Sequence, residues 1–81
     1  MTSDQIENFL QKQNEEEKKI RINFKSRQAI KGIFIRAVDF DFLKRKNLWR
    51  IVSETKIEEF LQTNNESLAR IFNGSEFTKL S

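Results

Sequence analysis

The chain has 81 residues, a net charge of +3, and neither cysteine nor histidine. That length fits a single domain over residues 1–81, and the composition excludes disulfides, the usual zinc sites and any histidine-activated nucleophile. Ile, Leu, Val and Phe number 25 of the 81 residues, well above the roughly 20% below which chains tend to stay disordered, so a packed core is expected.

Residues 4–18 read as a helix. Thr2 with Gln5, or Asp4 with Glu7, matches a capping box, and Ile6, Phe9 and Leu10 form an apolar stripe at helical spacing. Residues 19–25 alternate, with Ile20, Ile22 and Phe24 on one side and Arg21, Asn23 and Lys25 on the other, which predicts a half-buried strand. After a polar turn at 26–28, residues 29–43 read as one long β-type run with apolar residues on both faces. Gly32 inside it marks a bend or bulge. Residues 44–47 form a charged turn and residues 48–53 a strand carrying Trp49. Residues 54–63 fit a helix or a bulged strand equally well. A turn at 63–67, a strand at 68–72, the turn signal Asn73–Gly74 and a short strand at 77–80 complete the chain.

One helix followed by about five short strands predicts a mainly β domain: a small, bent five-stranded antiparallel barrel. Ile22, Phe24, Ile33, Ile35, Ile51 and Ile71 are its expected core. No apolar run approaches the roughly 18 residues of a membrane span. No signal peptide opens the chain, and with cysteine absent this points to the cytoplasm. A core this small gains from self-association, and exposed edge strands invite it. A homo-oligomer joined through residues 68–72 and 76–80 is therefore expected.

Charge is unevenly distributed. Residues 1–17 set Lys12 against five acids. Residues 18–50 set eleven Lys and Arg against only Asp39 and Asp41, for a local charge of +9. Such a block attracts polyanions, or simply forms a solvated face. Phe40 and Phe42 beside Arg36, Lys44, Arg45 and Lys46 form the best binding constellation, since aromatics stack on bases while cations hold phosphates. The alternative is that both rings belong to the core. Trp49 beside Arg50 reads as a stacking residue or a core anchor, and Asn73–Gly74 as a turn or a ligand contact. Asp39 and Asp41 would share a strand face, but two carboxylates without a third ligand make a poor cation site. No cofactor and no catalytic residue are indicated.

Two segments resemble the Sm-like family, which includes the Hfq-type RNA chaperones. In residues 20–43 the resemblance rests on Ile20, Ile22 and Phe24, then Gly32, then Asp39 with Phe40 and Phe42 around it. In residues 70–80 it rests on apolar residues flanking Asn73–Gly74. The resemblance implies a small barrel, a ring-shaped oligomer and binding of single-stranded RNA, with Asp39, Asn73 and Gly74 at the motif positions. The chain departs from the motifs in three places. One extra residue lies between Gly32 and Asp39, Leu43 falls where the family has Asn, and Asn73 falls where it has Arg. The chain also looks like small bacterial proteins labelled short-chain dehydrogenase. That chemistry requires a glycine-rich phosphate turn opening a helix, whereas this chain has two glycines 42 positions apart.

Overall fold

The computed structural model describes residues 1–12 and 18–81. Helix α1 (Ser3–Gln11) is followed by strands β1 (Ile20–Phe24) and β2 (Ile30–Phe34), helix α2 (Phe40–Arg45), strand β3 (Leu48–Ser53), helix α3 (Ile57–Thr63), and strands β4 (Arg70–Asn73) and β5 (Phe77–Leu80). Single 3-10 turns precede α3, β4 and β5.

All strand pairings are antiparallel, and the sheet order is β4-β3-β2-β1-β5. The two segments expected to be edges are the edges. They are also consecutive in the chain, joined only by the 3-10 turn Gly74–Glu76. So short a link draws opposite edges of the sheet toward one another, and the sheet must curl to allow it. Phe24 on β1 and Phe72 on β4 meet with ring centroids 5.8 Å apart. No ladder joins β4 to β5, so the sheet stays open.

The curled sheet buries apolar residues on both faces. One face carries Ile20, Ile22, Phe34, Trp49, Ile51, Phe77 and Leu80 into a core that α1 covers with its fully buried Ile6. Ile33, Ile35 and Val52 point the other way, and Ile57 and Phe60 of α3 close over them. This two-sided burial explains the consecutive apolar residues Ile33, Phe34 and Ile35 across the end of β2, since a strand covered on both faces loses its alternation.

The structure corrects several expectations. The Thr2–Gln5 capping box forms, but α1 ends at Gln11. Of the expected helical span, residues 13–17 lie outside the described residues, and Lys18 is not helical. The long strand over 29–43 breaks in two: β2 ends at Phe34, and residues 40–45 form a helix. Phe40, Phe42 and Val38 alternate like a strand, but burying Phe40 and Leu43 together requires a spacing of three, which is helical. The helix leaves Phe42 exposed. Residues 54–63 resolve to a 3-10 turn and α3, because Ile57 and Phe60 share a face and both are buried. The expected turn at 63–67 runs on into a 3-10 turn that includes Leu68, and the strand expected from 68 begins at Arg70.

Of the expected core, Ile22, Ile33, Ile35 and Ile51 are buried, Phe24 is half-buried, and Ile71 is exposed. Ile71 pairs with Arg50 on the edge strand and belongs to neither core. The ladder irregularity sits at Asn23/Phe24 rather than at Gly32. Gly32 pairs regularly with both neighbouring strands. Its role is close approach: a Cβ there would stand 2.6 Å from the Val52 carbonyl oxygen.

Candidate functional site

The residues expected to bind a ligand separate into two groups. Asp39, Lys44, Trp49, Arg50, Asn73 and Gly74 are committed to the fold. Arg36, Arg45 and Lys46 stand exposed at the surface, with Phe40 beneath Arg36.

Asp39 and Arg50 form a two-point ion pair. Arg50 Nη2 donates to Asp39 Oδ2 at 2.7 Å and Nε to Oδ1 at 3.2 Å. The hydrogen bond from Arg50 holds the Asp39 carboxyl below its usual range and, in return, raises the guanidinium. Both groups thus remain charged and mutually satisfied, and the pair clamps the start of α2 to β3. Asp39 is therefore not free to receive a base. It does not share a face with Asp41 either, because residues two apart diverge once a helix begins. Lys44 reaches Glu7 on α1, and the hydrogen bond to Glu7 raises its pKa. Asp41 lies 3.7 Å from the same ammonium. Lys44 therefore ties α2 to α1.

Trp49 is almost completely buried, edge-on to Phe34 and Phe40. Its indole Nε1 donates to Asn47 Oδ1 at 2.8 Å. Asn47 carries a left-handed backbone, with φ of 59°. Its Nδ2 donates to the Met1 carbonyl, and its own carbonyl accepts from Gly74 N–H at 2.7 Å. One residue thus joins the turn after α2, the buried indole, the N-terminal segment and the β4–β5 link. Asn73 caps that link, accepting from Ser75 N–H and Oγ. Gly74 is buried and opens a single 3-10 turn, not a helix of the kind a dinucleotide needs.

The surface that remains surrounds α2. The Arg36 guanidinium sits 4.8 Å from the centre of the half-buried Phe40 ring. Phe42 is 57% exposed, and Lys46 Nζ lies 4.6 Å from its centroid. Arg45 and Lys46 lie three and four positions after Phe42, the spacing that places side chains on one helical face. Val38, just before α2, is fully exposed. No ion pair involves Arg36, Arg45 or Lys46 among the described residues.

A concave surface elsewhere on the molecule was not anticipated. A cleft of about 420 Å³ is lined by Phe24, Arg27, Ile71 and Phe72, among others. Arg27 stacks over it, 4.9 Å from the Phe24 centroid and 5.8 Å from that of Phe72. Phe24 and Phe72 are 48 positions apart in sequence, and only the curl of the sheet brings them together. Among the described residues no group of three or more carboxylates stands together as a metal site. No helix there is long and apolar enough to cross a membrane.

No protein-family model matches the chain, and neither curated proteins nor solved structures provide a match.

Proposed function

We propose that this protein is a non-enzymatic binding module, a small barrel of the Sm-like kind, that holds single-stranded RNA on the outward face of α2. The observation that carries the reading is the exposed Phe42 ring flanked by Arg45, on the same short helix, and by Lys46 at its C-cap, with Arg36 nearby. An exposed ring stacks on a base of any identity, and the cations neutralise adjacent phosphates. Base selection is poor, because Asp39 and Asn73 are occupied within the fold and Leu43 is buried.

The test is a fluorescence titration with oligouridine and with a mixed-sequence RNA at two salt concentrations. Log affinity falls against log salt concentration with a slope of about −0.7 per phosphate contact for single strands. The triple variant Arg36→Ala/Arg45→Ala/Lys46→Ala flattens that dependence by roughly 2 in slope. Phe42→Ala costs roughly 1–3 kcal/mol if a base stacks there. A protein-interaction module is the second reading, favoured by the exposed apolar pair Val38 and Phe42. Absence of RNA binding at low salt, or unchanged affinity in the triple variant, selects it.

The same reading includes a cytoplasmic homo-oligomer. The support is the position of β4 and β5 at the two sheet edges, with Ile71 exposed on β4. Unpaired edge groups template pairing with another chain. Light scattering at high micromolar concentration is expected to give a multiple of the 9.7 kDa chain mass. A monomer at that concentration removes the assembly.

A further inference from the structure

The register of β1 against its two neighbours places like charges together at exposed positions of the sheet. Arg21 on β1 lies directly opposite Lys31 on β2. Asn23, two residues along β1 on the same face, lies directly opposite Lys79 on β5. Lys79 is therefore diagonal to Arg21, and three cations cross three adjacent strands. All three are exposed.

Directly opposed residues on an antiparallel ladder hold their Cβ atoms about 4.5–5.5 Å apart, and like charges in that position oppose folding. None of the three makes an ion pair among the described residues. Glu54 lines a cleft of about 390 Å³ with Arg21 and Lys31. It is held by Lys19 at 3.6 Å. Among the described residues, no ion pair relieves the repulsion on this face.

We infer that this face binds the phosphodiester backbone of a single-stranded nucleic acid. A chain of phosphates is the complement of a row of cations, and its arrival relieves the Arg21–Lys31 repulsion. No aromatic side chain accompanies Arg21, Asn23, Lys31 and Lys79 at these register positions, so binding here reads charge and not bases. The surface shares no residue with the α2 face and does not depend on it.

Stability and binding should therefore respond to one substitution in opposite directions. Lys31→Gln removes a repulsive partner, so the free protein melts about 1–6 °C higher at low salt. That gain disappears in 1 M salt, where charges are screened beyond about 3 Å. The same variant lowers the salt slope for oligouridine and oligoadenine equally, by about 0.7, and Arg21→Gln/Lys31→Gln lowers it by roughly twice that. The α2 triple variant is the separate arm. If it alone keeps full affinity, the α2 reading fails and the sheet face stands. If Arg21→Gln/Lys31→Gln alone keeps full affinity, the sheet-face inference fails. A lower melting temperature for Lys31→Gln at low salt also overturns it. So does protection from thermal unfolding by inorganic polyphosphate in the absence of any protection by oligouridine.

Discussion

Replacing Asn47 with alanine is expected to lower the stability of this domain by about 3 kcal/mol. The first part of the loss is polar. The Trp49 indole is 1% exposed and donates only to Asn47 Oδ1, and a buried donor left without its partner costs about 1–3 kcal/mol. The second part lies in the backbone, since φ at this position is 59° and alanine pays roughly 1–2 kcal/mol to enter the left-handed region. The bond from Nδ2 to the Met1 carbonyl is lost as well. For a domain of this size such a loss lowers the melting temperature by about 12–24 °C. Asn47→Gly separates the two parts, because glycine accepts the backbone but leaves the indole unpartnered. It should recover about a third of the loss. Thermal melts followed by circular dichroism and tryptophan fluorescence give both numbers. A loss below about 1 kcal/mol for Asn47→Ala would mean that water replaces the asparagine oxygen at the indole.

Gly74→Ala is the second large effect, and its cause is space rather than backbone conformation. No glycine in the chain has a positive φ. A Cβ at residue 74 would overlap Asn47 Oδ1 and Ile6 Cδ1, and would come within 2.8 Å of Asn47 Cγ. Overpacking a filled site typically costs about 1–3 kcal/mol. Here the atom displaced is also the acceptor for Trp49, so the upper part of that range is expected. The two substitutions are therefore coupled. In the double variant Asn47→Ala/Gly74→Ala, the asparagine side chain that collides with the new methyl group is gone, which leaves only the Ile6 contact to adjust. The double variant is expected to be more stable than the sum of the single losses predicts, by about 0.5–3 kcal/mol for residues in contact. Simple additivity in a double-mutant cycle would show that Asn47 and Gly74 do not share the strain.

The same network decides how the candidate site is to be understood. Trp49, Asn73 and Gly74 appear in the sequence as an aromatic beside a cation and a polar–glycine pair, features compatible with a ligand site. In the structure they hold the turn after α2 to the β4–β5 link. The cost of burying an indole N–H without an acceptor requires a partner, and that partner comes from Asn47. Asn47 itself stands out in the sequence only as a turn residue. Its role depends on the Met1 carbonyl, the Gly74 N–H and the indole arriving at one point from three separate segments.

The amino-acid sequence by itself determined the elements whose burial pattern is one-sided and local. Strand β1 alternates cleanly, α1 announces its start through Thr2 and Gln5, and β3 and β5 fall where their apolar residues lie. The tight turn Asn73–Gly74 was legible too, but not that the strands it joins lie at opposite edges of the sheet. The tertiary structure decided the rest, for physical reasons that one segment does not contain. Residues 29–43 carry apolar side chains for two different cores, one under α1 and one under α3. Only the placement of those helices separates Ile30 and Phe34 from Ile33 and Ile35, and turns residues 40–45 into a helix. The pairing of Asp39 with Arg50, and of Lys44 with Glu7, withdraws two cations from the basic block of the sequence. The strand register gathers Arg21 and Lys31 of that block with Lys79 from beyond it onto one face. Charge counted along the chain is blind to such pairing, because the energy of a charge depends on what stands within a few ångströms of it after folding.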